Sequence, residues 1–533
     1  MFDNNILLYL DSRGMNMEKV TEKSKNQKNI KEYNERLQVY GDDLKNLYQL
    51  MYGDYDNYEQ CYDELLNIME KSFKSRKRSL RILDRVREED SSWFLRQDKI
   101  GYTIHLDLFC EDIKGLKSKI DYIKELNITY LHITQFNNIL NGKDNDEYGQ
   151  LEKIIDMFRK EKISVGVDFD MINTQSEEQS WKNPSLFNKI VDNILHILNR
   201  GIEILNIGEK SLVVKICKII TKIVCPSVIL RGDEFSIIDN NSLMVLLWNS
   251  LATRDVRIMT EHLKQSINKL QESSYINYSR CNNNIDWEFN DEIIKQFGFS
   301  PVDHKQFIID FYSGNFQGSF AKGQIYEIDN FKRTSGTLAS LCGLEKALEE
   351  CNLHEAYLSQ RRIILLNSVV LAYSGIPMLY SGDEIGQLND YWYISDHNKK
   401  HDSRWLHRPA FNWDRAKNRN DITRIEGNLF NNIKKFIEIR NSYDIFRSDI
   451  ITNVINTNNN SIFAFFKRNE DEELLVLGNF SEYHQVINLD NIRKYELNGV
   501  FINLGESLEV DLDSNEITLK PYDCIWLYKN INK

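Results

Sequence analysis

A chain of 533 residues, 41% hydrophobic and 11% aromatic, carries enough apolar material for a large core and about three domains, so disorder is excluded as the default. Its formal charge of −12, with both signs mixed along most of the chain, excludes an electrostatic surface for nucleic acid or an anionic membrane. The eight cysteines (Cys61, Cys110, Cys217, Cys225, Cys281, Cys342, Cys351 and Cys524) include no C-x-x-C pair. Free thiols in a reducing compartment are therefore expected, and no zinc site is.

In chain order, the apolar run Ile6–Leu10 is short, lies between Asp3 and Asp11 and has no basic leader. Neither a signal peptide nor a transmembrane helix is expected, and the chain reads as cytoplasmic. Residues 1–96 carry helical spacing: Tyr33, Leu37, Tyr40, Leu44 and Leu47 form one stripe, Cys61, Leu65, Ile68 and Phe73 another, and Leu80–Glu88 a third helix. From Gly101 short apolar runs alternate with amphipathic segments, which predicts a parallel βα sheet. Strands are expected at Tyr102–Phe109, Ile128–Ile133, Ile163–Phe169, Ile202–Ile207, Ser227–Arg231, from Tyr275 and at Ile376–Tyr380. Helices are expected at Asp112–Leu126, Leu151–Arg159 and Phe187–Leu198. Past about Asp444 the pattern turns all-β, with strands at Ser461–Phe466, Leu474–Gly478, Gln485–Leu489, Ile517–Leu519 and Cys524–Leu527.

Several runs carry a more specific signal: Asp107-Leu108-Phe109, Tyr130-Leu131-His132, Asn241-Ser242-Leu243-Met244 through Arg257, Phe311 through Gly323, Ser335 through Ala339, Ser381-Gly382-Asp383-Glu384, His401 through Pro409, and Arg280 through Trp287. Together they resemble the amylosucrases, in the α-amylase superfamily (glycoside hydrolase family 13), over nearly all of residues 93–413. The resemblance implies a (β/α)8 TIM barrel at 97–443, a B′ insertion at about 288–342, an N-terminal helical domain at 1–96 and a C-terminal β-sandwich at 444–533. Between Asp168 and the Phe187–Leu198 helix too few residues remain for the family's domain B, which is expected to be absent or vestigial.

The resemblance also fixes where chemistry would sit. Retaining glycosyl transfer needs a nucleophilic carboxylate and an acid about 5–5.5 Å apart. In this chain Gly208 stands at the nucleophile position, Asp233 at the acid position and Asn283 at the position of the carboxylate that stabilises the transition state. A glycine has nothing with which to attack. Arg280, Asn282, Asn284, Arg404 and Tyr148 fall at substrate-binding positions, while the family's Asn and His after strand three are replaced by Ile172 and Asn173. Trp287, Trp392 and Tyr393 could stack on a glucan or simply pack.

The function so implied is that of an amylosucrase-like protein of carbohydrate metabolism, catalytically silent, that binds an α-glucan or small sugar or regulates an active paralogue. The alternative is a glycoside hydrolase or glucosyltransferase with a relocated site on α-glucosidic bonds, using carboxylates such as Asp170, Glu209, Glu234 or Asp286. Neither reading calls for a metal or an organic cofactor.

Overall fold

The computed structural model describes residues 22–136, 145–169, 182–207, 212–232, 237–266, 274–328 and 331–532, which form two compact units. The first is helical and comprises the described residues within 22–86, 182–199 and 212–227. Its helices Glu22–Tyr52 and Tyr58–Ser75 pack with Leu212–Val224 and Pro184–Asn199. Of the stripe read from the sequence, Tyr33 and Leu44 are buried while Leu37, Tyr40 and Leu47 are half-buried, and the same helix also buries Tyr48 and Tyr52, whose rings lie 6.2 and 5.7 Å from that of Phe187. Arg76 and Asp84 form a buried two-pronged ion pair at 2.7 and 2.8 Å, and Asp84 also accepts from the Ser227 hydroxyl at 2.5 Å. Two helices from the middle of the chain thus belong to a unit whose sequence outline ended at residue 96.

The second unit holds the barrel. Its strands are β1 Gly101–His105, β2 Tyr130–Thr134, β3 Ser164–Asp168, β4 Ile204–Asn206, β5 Ile229–Arg231, β6 Ile237–Asp239 and β7 Ser274–Asn277. A hairpin of β8 Gln324–Ile328 and β9 Phe331–Ser335 intervenes before the last barrel strand, β10 Ile376–Tyr380. The eight-stranded sheet runs β5-β4-β3-β2-β1-β10-β7-β6, with parallel pairing throughout. Strands buried on both faces need apolar side chains on both, and β2 and β10 are buried at all five positions. The expected (β/α)8 barrel is therefore present, nearly closed.

Two local features depart from the sequence reading. Strand β1 ends at His105 rather than Phe109, because Leu106, Phe109 and Cys110 are buried at helical spacing in the short helix Leu106–Cys110. Between β5 and β6 lie only residues 232–236, where a parallel crossover ordinarily takes a dozen or more. Among the described residues, Gly232 N donates to Ile237 O at 3.1 Å across this connection. Strand β6 leaves little trace in the sequence, because two isoleucines between polar residues carry little periodicity.

The C-terminal part forms a six-stranded antiparallel sheet, β11-β12-β13-β18-β15-β16, and a two-stranded one, β14-β17. These strands are β11 Asn453–Ile455, β12 Ile462–Arg468, β13 Glu472–Asn479, β14 Gln485–Asn488, β15 Val500–Asn503, β16 Leu508–Asp511, β17 Glu516–Leu519 and β18 Cys524–Asn530. Leu475, Leu477, Ile487, Phe501 and Leu527 pack between them as one apolar core. Among the described residues no helix is long and apolar enough to cross a membrane.

Candidate functional site

The last residues of the barrel strands carry the signal. Strands β1 to β7 end in His105, Thr134, Asp168, Asn206, Arg231, Asp239 and Asn277, and β10 ends in Tyr380. An interior end lined with polar groups is where barrel enzymes place their chemistry. Asp168, Asn206 and Arg231 are register partners across β3, β4 and β5, so they form one rung. A cavity of about 860 Å³ opens above it, walled on the β7 side by Arg280–Asn284 and on the insertion side by Tyr326 and Arg333.

Hydrogen bonds fix the orientation of that rung. Asp168 Oδ1 accepts from His132 Nε2 at 2.9 Å and from Asn206 Nδ2 at 2.8 Å. Because Nε2 must then carry the proton, Nδ1 of His132 in the neutral tautomer accepts from the Tyr130 hydroxyl at 2.8 Å. Burial alone would raise the Asp168 carboxyl, but His132, Arg231 and Asn206 outweigh it and hold the group at about 2. Asp168 is an anion at any physiological pH.

Across the rung, Arg231 donates from Nε and Nη2 to Asp239 Oδ1 at 2.9 and 2.6 Å. The pair joins the ends of β5 and β6, between which no strand pairing is found among the described residues. Burial disfavours the Arg231 cation, yet Asp239, Tyr130 and Asp168 more than compensate. Each other arginine lining the cavity is likewise paired: Arg280 with Asp383 at 2.9 Å, Arg333 with Asp286 at 2.8 Å, and Arg404 with Asp402 at 2.7 Å. No lining guanidinium is left free of a carboxylate, as one would need to be to capture a phosphate or carboxylate ligand.

The residues singled out from the sequence are placed as follows. Gly208 and Asp233, with Asp170, Glu209 and Glu234 of the alternative reading, lie outside the described residues, as does the side chain of Tyr148. Asn283 lines the cavity at its exposed rim. Arg280 is buried beneath the rim, bonded to Asp383 and to the His407 carbonyl at 3.1 Å, with its guanidinium 3.9 Å from the centre of the Tyr380 ring. The Asn282 carbonyl takes Arg408 Nε at 2.8 Å, and the Asn284 side-chain oxygen takes the Ser335 hydroxyl at 2.5 Å. Arg404 reaches the cavity while clasping Asp402. Trp287 is core: only 1% exposed, it stacks on Tyr312 and donates to Thr334. Tyr393 is buried as well, and Trp392 is 83% exposed.

His132, Arg231 and Asp239 were not singled out as site residues, yet they make up the floor with Asp168. The signal that could have found them is a polar residue closing an apolar run at a strand's C-terminal end. Among the described residues no three His, Cys, Asp or Glu side chains converge as a metal site would need.

Comparison with known proteins gives partial matches. A family model described as Alpha-amylase SusG C-terminal domain matches residues 462–525, within the C-terminal sheets. The Glucosylglycerate phosphorylase of Escherichia coli strain K12 is 27% identical over 174 residues, 31% of this chain and 28% of that protein, so the match spans less than a third of the curated relative's length. Among solved structures, an Anoxybacillus alpha-amylase superposes with TM-score 0.54 at 12% identity, covering 81% of this chain and 98% of its own. A Nostoc punctiforme debranching enzyme soaked with acarbose superposes with TM-score 0.51 at 13% identity, covering 81% of this chain and 98% of its own. At such identities the likeness is one of fold: the (β/α)8 barrel with a C-terminal β domain found in α-amylases.

Proposed function

We propose that this chain is an amylosucrase-like, cytoplasmic protein of carbohydrate metabolism that holds a neutral α-glucoside or the end of an α-glucan in the barrel mouth without cleaving it by double displacement. One observation carries the reading: Asp168, Asp239 and Asp286, three of the four described carboxylates that line the cavity, Glu288 being the fourth, are each engaged by His132 and Asn206, by Arg231 or by Arg333. A retaining mechanism needs a carboxylate free to attack and a second that keeps its proton near neutral pH. Asp168 is displaced in the wrong direction for an acid, and Gly208 has no side chain at the family's nucleophile position. The amylosucrase-type motifs and the α-amylase-type fold support a saccharide as the ligand, and the paired arginines favour an uncharged one. On this reading the chain serves as a sugar sensor or as a regulator of an active paralogue, with its helical, barrel and C-terminal β parts each folding as one domain.

The second reading, a rebuilt enzyme on α-glucosidic bonds, is favoured by one feature: an ionised carboxylate, Asp168, at a strand end facing the cavity. Incubation with sucrose, with maltooligosaccharides, and with glucosylglycerate plus inorganic phosphate separates the two. The first reading predicts saturable binding with no fructose, shortened glucan or sugar phosphate. Turnover abolished by Asp233→Ala or Asp168→Asn would replace it with the second.

A further inference from the structure

The segment between β7 and β10 forms a second hollow, of about 490 Å³, that shares Asp286, Glu288 and Arg333 with the barrel cavity. Its apolar wall is Phe289, Pro301 and Phe331. Phe331 is 60% exposed, and Val302 and Phe299, on either side of Pro301, are 78% and 44% exposed. One such residue on a surface needs no explanation, but three gathered at one hollow mark a contact surface. The charges there are unbalanced in both signs. Asp286 takes Arg333 at 2.8 Å, which leaves Lys305 only a shared and distant partner, the same Asp286 at 4.0 Å. Glu288 and Asp291, both exposed, have no ion-pair partner among the described residues. On the helix Pro301–Tyr312, Val302 and Lys305 are neighbours at i and i+3, so the protruding apolar group and the loosely held cation stand side by side.

We propose that a second copy of this chain covers this surface, in a two-fold pairing that seats Val302 of each copy in the other's hollow and sets Lys305 against Glu288 and Asp291 across the axis. Charge selects the occupant. A basic partner would answer Glu288 and Asp291 but bring like charge to Lys305, and an acidic partner would do the reverse. A two-fold contact brings a patch against itself, so the patch must hold both members of each pairing. This one does: a projecting valine beside a hollow, and a cation beside two free carboxylates. Because Asp286, Glu288 and Arg333 also line the barrel cavity, the second copy stands at the edge of the mouth.

The test is sedimentation velocity of the full chain over about 1–100 µM, with near-ultraviolet circular dichroism to confirm that each variant folds. The expected result is a monomer–dimer equilibrium that Val302→Asp weakens about tenfold or more, while Leu353→Asp, at an 85% exposed position on the helix Leu353–Ala372, leaves it within about twofold. Lys305→Glu alone and the double variant Glu288→Lys with Asp291→Lys should each lose the dimer through like charge. Mixed in equal amounts, these two variants should recover it, because each then meets opposite charge on both sides of the axis. If the double variant does not fold, Val302→Asp against Leu353→Asp decides alone. A monomer at the highest concentration would overturn the pairing. A dimer that Val302→Asp leaves within about twofold would overturn the hollow as its seat. Failure of the mixture to recover the dimer, or growth beyond the dimer, would overturn the two-fold arrangement.

Discussion

His132 on β2 donates through Nε2 to Oδ1 of Asp168 on the neighbouring strand at 2.9 Å, and its other nitrogen takes the hydroxyl of Tyr130. One imidazole thus orients a carboxylate and satisfies a buried phenol. Replacing it by His132→Phe leaves the Tyr130 hydroxyl without its acceptor and Asp168 without its nearest donor. The expected loss of stability is about 1–3 kcal/mol in urea unfolding. Asp168 should also move up from about 2 toward ordinary carboxylate values, read by carboxyl NMR titration. A carboxyl that stays where it was would mean that Arg231 and Asn206 alone hold it.

Gly166 makes room for that arrangement. A Cβ at this position would lie 2.7 Å from Tyr130 Cε2 and 2.9 Å from Ile204 Cβ, inside van der Waals contact. Gly166→Ala must therefore push the Tyr130 ring off its bond with His132, at about 1–3 kcal/mol. Gly41, in the helix Glu22–Tyr52, has only ordinary contacts to Leu37 from 3.6 Å outward, so Gly41→Ala should gain about 0.5–1 kcal/mol. Opposite shifts in denaturation midpoint, the larger one downward for Gly166→Ala, would be the clear signature; a neutral Gly166→Ala would show that the barrel interior yields more readily than its packing implies.

The two tryptophans considered as sugar platforms separate cleanly. Trp287 lies 5.3 Å from the Tyr312 ring at an interplanar angle of 12° and donates to the Thr334 hydroxyl at 2.9 Å. Trp287→Ala should cost about 3–5 kcal/mol of stability through the cavity it leaves. Trp392, 83% exposed, should tolerate alanine within about 0.5 kcal/mol. Thermal melts of the two variants check the contrast, which would reverse if Trp287 were a surface platform.

The barrel was legible because parallel strands advertise themselves as short apolar runs, and β10 was read to the residue at Ile376–Tyr380. Its floor was less so. Asp239 belongs to a three-residue strand reached by a five-residue connection, and neither is long enough to leave a periodic trace. The strands β11, β15 and β16, three or four residues long, are likewise absent from the sequence reading. Arg280 was visible as a motif residue, but its engagement with Asp383, more than a hundred positions away, exists only once β7 and the segment after β10 stand side by side. Motif position could say which residues would sit near the mouth, and only packing decides which of their atoms are already spent.

Glu384 supplies a pH-dependent test of the barrel itself. It is fully buried after β10, where Oε1 accepts from the hydroxyls of Tyr102 at 2.8 Å and Tyr122 at 2.6 Å, and Oε2 from Gly382 N at 2.9 Å. Burial pushes the carboxyl up to about 7 against the pull of the tyrosines, with neighbouring Asp383 adding to the rise. A folded state that holds this proton more tightly than the unfolded chain, where the group titrates at 4.5, is favoured while the proton is present. The contribution is therefore complete below about pH 4.5 and is lost as pH climbs through about 7, on the order of 3 kcal/mol in all. Glu384→Gln keeps an acceptor for both tyrosines and does not titrate, so the stability difference between the two proteins should move in the variant's favour by that amount from about pH 4.5 to about pH 8. Urea midpoints at the two ends of the range measure it. A difference that moves the other way would show that the two phenols hold Glu384 as a carboxylate throughout.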